Sequence, residues 1–183
     1  MQANLLTALR LLLALPVAYA FARPEWLAPT WLLLLVAIAI ASDVLDGKVA
    51  RRLGTASSFG QYFDHATDCI FVSSGLAGAA WAGLVTPMLA PLILIAFAQY
   101  VLDSRFLHRQ KNLRMSFIGR WNGTLYFVPL VTLALARLDW PDMIEEGLYW
   151  LVTTFAWLLV VTTAISIIDR ALAKSSKGAE RRV

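Results

Sequence analysis

The sequence predicts an all-α membrane protein of six transmembrane helices with both termini cytoplasmic, and three observations predict it. Of the 183 residues, 59% are hydrophobic and 15% charged, with a mean hydropathy of +0.65, a balance far from that of soluble domains. The charges gather in short clusters between apolar runs, and six of those runs approach the roughly 20 residues that a helix needs to cross hydrocarbon. The basic residues are also sided. With both ends cytoplasmic, all of the 16 Lys and Arg residues fall on that side except Arg23 and Arg137, as the positive-inside rule requires.

Backbone that is not hydrogen-bonded within itself cannot face lipid, so each apolar run is read as a helix. The first span covers about 5–22. Its Leu11 to Val17, followed by Ala18-Tyr19-Ala20, imitates a signal peptide, but Arg10 is the whole basic n-region, so the segment is read as a retained span. The second (27–46) and third (60–82) carry aspartates at their cytoplasmic ends, with Gly54 and the Ser57-Ser58 pair breaking the helix between them. The fourth covers 85–103, the fifth 117–138, and the sixth, 147–169, is the cleanest. Residues 1–183 thus form a single membrane domain.

Between the last two spans, Asp139 to Glu146 reads as a solvated outer loop. Trp26, Trp31, Trp81, Trp140 and Trp150 fall near the outer boundary, where amphipathic rings anchor at the headgroup level. The tail from Lys174 to Arg182 reads as an orientation signal that meets anionic lipid. The single cysteine, Cys69, cannot form an intrachain disulfide and is read as a small buried hydrophobe. No nucleic-acid partner is expected.

Four carboxylates carry the chemistry: Asp43 and Asp46, three apart, and Asp64 and Asp68, four apart. On helices each pair shares one face. Four converging carboxylates at a membrane boundary repel one another and lose hydration, so they take up protons or bind a multivalent cation. Hard oxygen ligands favour magnesium, manganese or calcium, and no zinc-type Cys/His cluster competes. A paired-metal centre for phosphoryl chemistry follows as the expectation. Gly47 and Gly60, four residues from Asp43 and Asp64, leave space on the carboxylate faces, and Ala50 and Arg51 extend the first face with a small residue and a fixed cation suited to phosphate.

The pattern Asp43-x-x-Asp46-Gly47-x-x-Ala50-Arg51, eight residues, Gly60-x-x-x-Asp64-x-x-x-Asp68 resembles the signature of the CDP-alcohol phosphatidyltransferase family, and Asn4-x-x-Thr7-x-x-Arg10 is similar to that family's N-terminal element. The resemblance implies two divalent ions, Mg2+ or Mn2+, held by Asp43, Asp46, Asp64 and Asp68, with Asp68 also the general base. It implies that Asn4, Thr7, Gly47, Ala50 and Gly60 border the nucleotide and that Arg10 and Arg51 touch phosphate. It further implies a CDP-diacylglycerol donor, a polar alcohol acceptor, CMP as leaving group, a homodimer, and an active site at the cytoplasmic face of the inner (plasma) membrane. His65 reads as a neighbour that orients carboxylates.

For the acceptor, Arg105, Arg109, Lys111, Arg114 and Arg120 cluster on the same side as the aspartates and suit a phosphorylated alcohol. Ser116-x-x-Gly119-Arg120 resembles the Ser-x-x-Gly-Lys of relatives that use glycerol phosphate. His65 and Cys69 depart from that subgroup, and Asp64-His65 is more similar to phosphotransferases that pass CDP-linked amino alcohols to diacylglycerol. A divalent-cation transporter is the reading from another class. Its sites lie at the bilayer midplane, whereas these carboxylates adjoin Lys48, Arg51 and Arg52.

Overall fold

The computed structural model describes the backbone of residues 2–52, 58–106 and 117–180, and side chains over 7–45, 60, 62–102, 119 and 121–172. Every regular element among them is helical: α1 (Gln2–Ala22), a 3-10 turn (Pro24–Trp26), α2 (Pro29–Arg52), α3 (Ser58–Trp81), α4 (Leu89–Phe106), α5 (Phe117–Leu125), α6 (Phe127–Ala136) and α7 (Asp142–Glu180).

The boundaries have local causes. Pro29 opens α2 at a position where its missing N–H costs nothing. α3 closes on Gly83, whose φ of 76° is open to glycine and strained for other residues. Around it Gly83 N–H donates to the Ala80 carbonyl at 3.0 Å and Leu84 N–H to that of Ala79 at 2.9 Å, the paired bonds of a Schellman cap.

Two expectations change. The span expected as one helix over 117–138 is two, α5 and α6, because Pro129 has no N–H for the Leu125 carbonyl and its ring crowds it. The interruption is slight, since Tyr126 keeps helical dihedrals and donates to the Asn122 carbonyl at 2.9 Å. The expected loop over 139–146 is also shorter, because α7 already begins at Asp142, with Asp142 and Glu145 in the first turn where the helix dipole favours acids.

Among the described residues one helix, Asp142–Leu172, is long and apolar enough to cross a bilayer; the apolar parts Thr7–Ala22, Pro29–Leu45, Leu89–Leu102 and Trp121–Ala136 are shorter. α1 packs along α3 and α2, α4 against α3 and α7, and α6 against α7 and α2. The α1–α3 contact is close: a Cβ on Gly78 would lie 2.1 Å from the Ala18 carbonyl oxygen, so only glycine fits.

Beside an apolar core, several polar side chains are buried and many large apolar ones exposed. Arg10, Thr7, Ser42, Thr67, Asn122, Thr163 and Ser166 are buried, while Leu12, Leu15, Trp81, Trp150 and Leu172 are exposed, the pattern of helices that pair polar groups with each other and present apolar ones to lipid. Tyr126 and Thr163 share a hydroxyl hydrogen bond of 2.8 Å, and Thr162 donates to Asn122 Oδ1 at 3.2 Å, joining α5 to α7. Gln99 Nε2 on α4 donates to the Ile167 carbonyl of α7 at 3.1 Å.

Candidate metal centre

Three helices bring opposite charges together. Arg10 of α1 is fully buried, and its guanidinium reaches Asp43 of α2 at 3.1 Å (Nη2 to Oδ1), Asp64 of α3 at 3.2 Å (Nη1 to Oδ1), and Asp68, one turn further along α3, through the same Nη1. The i, i+4 spacing puts the last two on one face, as the sequence predicts. Nearby hydroxyls are spent on their own helices: Ser42 donates to the Ala39 carbonyl at 2.7 Å and Thr67 to that of Phe63 at 2.9 Å.

One donor atom from each of Asp64, His65 and Asp68 lies within 4.8 Å of the others. Two ligand atoms on opposite sides of a Mg2+ or Ca2+ ion are about 4–5 Å apart, so these three residues lie close enough to hold a metal ion. Charge agrees with geometry. Three carboxylates meet one guanidinium, which leaves two negative charges when all are ionised, the charge of one divalent ion.

The carboxylates form one wall of a cavity of about 610 Å³. Gln99 and Tyr100 of α4, Ser166 and Arg170 of α7, and Gly119 and Gly123 of α5 also line it. The Arg170 guanidinium sits 5.4 Å from the centroid of the Tyr100 ring, whose other neighbours include His65 at 6.4 Å, edge-on. The remaining lining, such as Ile40, Val72, Ile93 and Phe97, is apolar. The cavity therefore joins a charged end to a greasy wall, as an amphipathic substrate requires.

Of the residues expected at the site, the structure gathers Asp43, Asp64, Asp68 and Arg10 directly, and Thr7 is buried on α1 one turn before Arg10. Gly60 lies on α3, one turn before Asp64. Asn4 belongs to α1 and Asp46, Gly47, Ala50 and Arg51 to α2, but their side chains lie outside the described residues, as do those of Arg105 on α4 and Arg120 on α5; Arg109, Lys111 and Arg114 lie outside them entirely. Arg10, expected against a phosphate, is held by carboxylates.

Sequence reasoning missed part of the cavity lining. Arg170 counted only toward topology, and Gln99 and Tyr100 passed as span residues. A signal existed, since an amide in the middle of an apolar run needs a polar partner or a polar cavity.

Apolar helices that bring clustered carboxylates and a histidine together beside a cavity define a helical protein with a candidate metal centre. The chain belongs to the CDP-alcohol phosphatidyltransferase family, whose model matches residues 1–168. It is 40% identical over 77 residues to the CMP-forming cardiolipin synthase of Streptomyces coelicolor, covering 40% of this chain and 35% of that one. It is 42% identical over 86 residues to the archaetidylinositol phosphate synthase of Aeropyrum pernix, covering 46% and 42%. Identity is 28% over 159 residues with the CDP-diacylglycerol–glycerol-3-phosphate 3-phosphatidyltransferase of Sodalis glossinidius, covering 81% and 84%. The chain thus spans less than half the length of the first two relatives. No solved structure matches it significantly.

Proposed function

We propose that the protein transfers a phosphatidyl group from CDP-diacylglycerol to a polar alcohol, releasing CMP, in phospholipid synthesis. The observation that carries the reading is the convergence of Asp43, Asp64 and Asp68 from two helices in one amphipathic cavity, in a chain of this family. Asp43, Asp46, Asp64 and Asp68 hold two divalent ions, Mg2+ or Mn2+. When bound, these ions polarise the diphosphate and offset charge on the leaving phosphate.

The chain's own residues do the rest. Asp68 is the general base: it takes the proton of the acceptor hydroxyl as that oxygen bonds to the phosphatidyl phosphorus and the bond to CMP breaks, CMP keeping the electron pair. Asn4, Thr7, Gly47, Ala50 and Gly60 border the nucleotide, and Arg10 and Arg51 serve its phosphates. The apolar wall takes the proximal lipid, and the burial of polar beside exposed apolar side chains supports a bilayer as the surroundings. Residues 1–183 act as one domain of six crossings, α5 and α6 together making the fifth. Both termini and the site face the cytoplasm at the inner (plasma) membrane, in a homodimer.

For the acceptor we favour an acidic alcohol such as glycerol 3-phosphate over a cationic amino alcohol. Arg170 is a fixed positive charge in the lining of the same cavity as the carboxylates; it attracts a phosphate and repels an ammonium. Arg105, Arg109, Lys111, Arg114 and Arg120, clustered in the sequence between the fourth and fifth spans, are further candidates for binding the acceptor. The name of the Sodalis relative includes this acceptor.

The test incubates purified protein with CDP-diacylglycerol, Mg2+ or Mn2+ and a panel of alcohols, following CMP and the lipid product. Turnover that requires both metal and alcohol, and stops with chelator, is expected. Absence of CMP release with every alcohol overturns the reading.

A further inference from the structure

A buried arginine between carboxylates meant for metal poses a conflict. Asp64 and Asp68, which could hold a metal ion together with His65, are also two of the three carboxylates paired with Arg10. A guanidinium spread over three carboxylates and an ion coordinated by them compete for the same negative charge. Arg10 cannot ease the conflict by losing its proton, since guanidinium stays charged in proteins.

Nor is Arg10 a surface residue caught in passing, because it is fully buried. Its helix is seated along α3 with the backbone contact at Ala18 and Gly78 two turns further on, so the guanidinium is delivered to this spot by packing. A buried charge without counter-charge is strongly unfavourable, and three carboxylates without a cation equally so. Each therefore stabilises the other while no metal is bound.

We infer that Arg10 is the site's internal counter-cation: it holds the carboxylates together in the metal-free protein and must yield them for the divalent ions to bind, so that it sets the metal affinity. The inference rests on the metal requirement proposed above and adds that this chain lowers its own affinity for metal. The consequence is that metal is bound firmly only when Arg10 gains another anion to pair with. A substrate diphosphate entering the cavity is such an anion.

The experiment measures Mn2+ binding by electron paramagnetic resonance and thermal unfolding in chelator, without any lipid substrate, on wild type, Arg10→Gln and Arg10→Lys. Arg10→Gln is expected to bind Mn2+ at least about tenfold more tightly than wild type, and to melt lower than wild type in chelator while recovering with Mn2+. Arg10→Lys keeps the charge and is expected to stay within a few-fold of wild type in affinity. An Arg10→Gln protein that folds only when metal is present supports the role, since loss of the internal cation is then what chelator reveals. Arg10→Gln that melts with wild type in chelator overturns it, as does a folded variant whose Mn2+ affinity is unchanged or weaker. Absence of Mn2+ binding in wild type and in a folded Arg10→Gln alike instead removes the metal reading beneath it, which is a different failure.

Discussion

Each end of the helical bundle is organised around one arginine, and the two differ in what surrounds them. Arg10 meets three carboxylates. Arg137, at the far end, meets three carbonyls: Nη1 donates to Ala20 at 2.9 Å, and Nη2 to Pro24 at 2.5 Å and Leu27 at 3.3 Å. Carbonyl oxygens of a helix end and the following turn are neutral acceptors in need of donors, so Arg137 completes them and nothing is left over. Carboxylates carry charge, and one guanidinium cannot neutralise three. The carbonyl end is finished as it stands, and the carboxylate end asks for another cation. The difference separates a structural clamp from a working site without appeal to conservation.

The sharpest way to test that separation is to change a carboxylate without changing its shape. Asp68→Asn keeps the side chain's size and its hydrogen bond from Arg10 but removes the proposed base and metal ligand. Phosphatidyl transfer is expected to fall by about 10²–10⁴-fold, the usual worth of a positioned base, while helical content by circular dichroism stays that of wild type. Transfer at the wild-type rate would take the role of base from Asp68.

The same contrast marks what sequence makes legible. The six apolar runs reappear as helical segments because length and hydropathy decide them, although the fifth is divided and the sixth runs on to Glu180, and the aspartate spacings translate because i, i+4 geometry is local. What stayed hidden is non-local. Arg10 lies 54 residues from Asp64 and 58 from Asp68, and nothing in the chain's periodicity says that a cation on one helix points at acids on another. Arg137 stood out only as an exception to the charge bias, whereas its role depends on where the chain between α1 and α2 turns. The division of the fifth span was within reach, because Pro129 announces it.

The next largest effect is expected at the clamp. Arg137→Ala removes charge-assisted bonds to carbonyls of Ala20, Pro24 and Leu27, each worth about 1.5–3 kcal/mol when fully made. Because the guanidinium is partly open to solvent, the loss is expected to total about 2–3 kcal/mol. It appears as a lower melting temperature in detergent, with Mn2+ affinity of the folded protein unchanged. A change in metal affinity equal to that of an Arg10 variant would erase the distinction between the two ends.

α1 links them, since it carries Arg10 near its start and the Ala20 carbonyl that Arg137 binds near its end. Its seat on α3 is the contact between Ala18 and Gly78. Gly78→Ala forces a methyl against backbone, which cannot swing aside as a side chain can, and is expected to cost about 1–3 kcal/mol. Unlike Arg137→Ala, it shifts the helix that delivers Arg10, so both thermal stability and Mn2+ affinity are expected to change. Gly123→Ala is the control: a Cβ there meets nothing within 4 Å, and stability is expected to stay within about 0.5 kcal/mol of wild type.

The smallest effect belongs to the polar contacts between the ends. Thr163→Val removes a buried hydroxyl bonded to Tyr126 at 2.8 Å and keeps the side chain's shape. The penalty is expected to be about 1 kcal/mol, since Tyr126 and the Asn122 amide nitrogen, 3.5 Å away, both lose Thr163 while Asn122 Oδ1 keeps the bond from Thr162 at 3.2 Å. That bond crosses between α5 and α7 at the point where Pro129 leaves the backbone short of a donor, so the loosening is local. Faster amide hydrogen exchange over residues 121–127 is expected, with melting temperature and metal affinity almost unchanged. Exchange that quickens equally at α1 would mean that this seam, and not the packing of α1 on α3, holds Arg10 in register with the carboxylates.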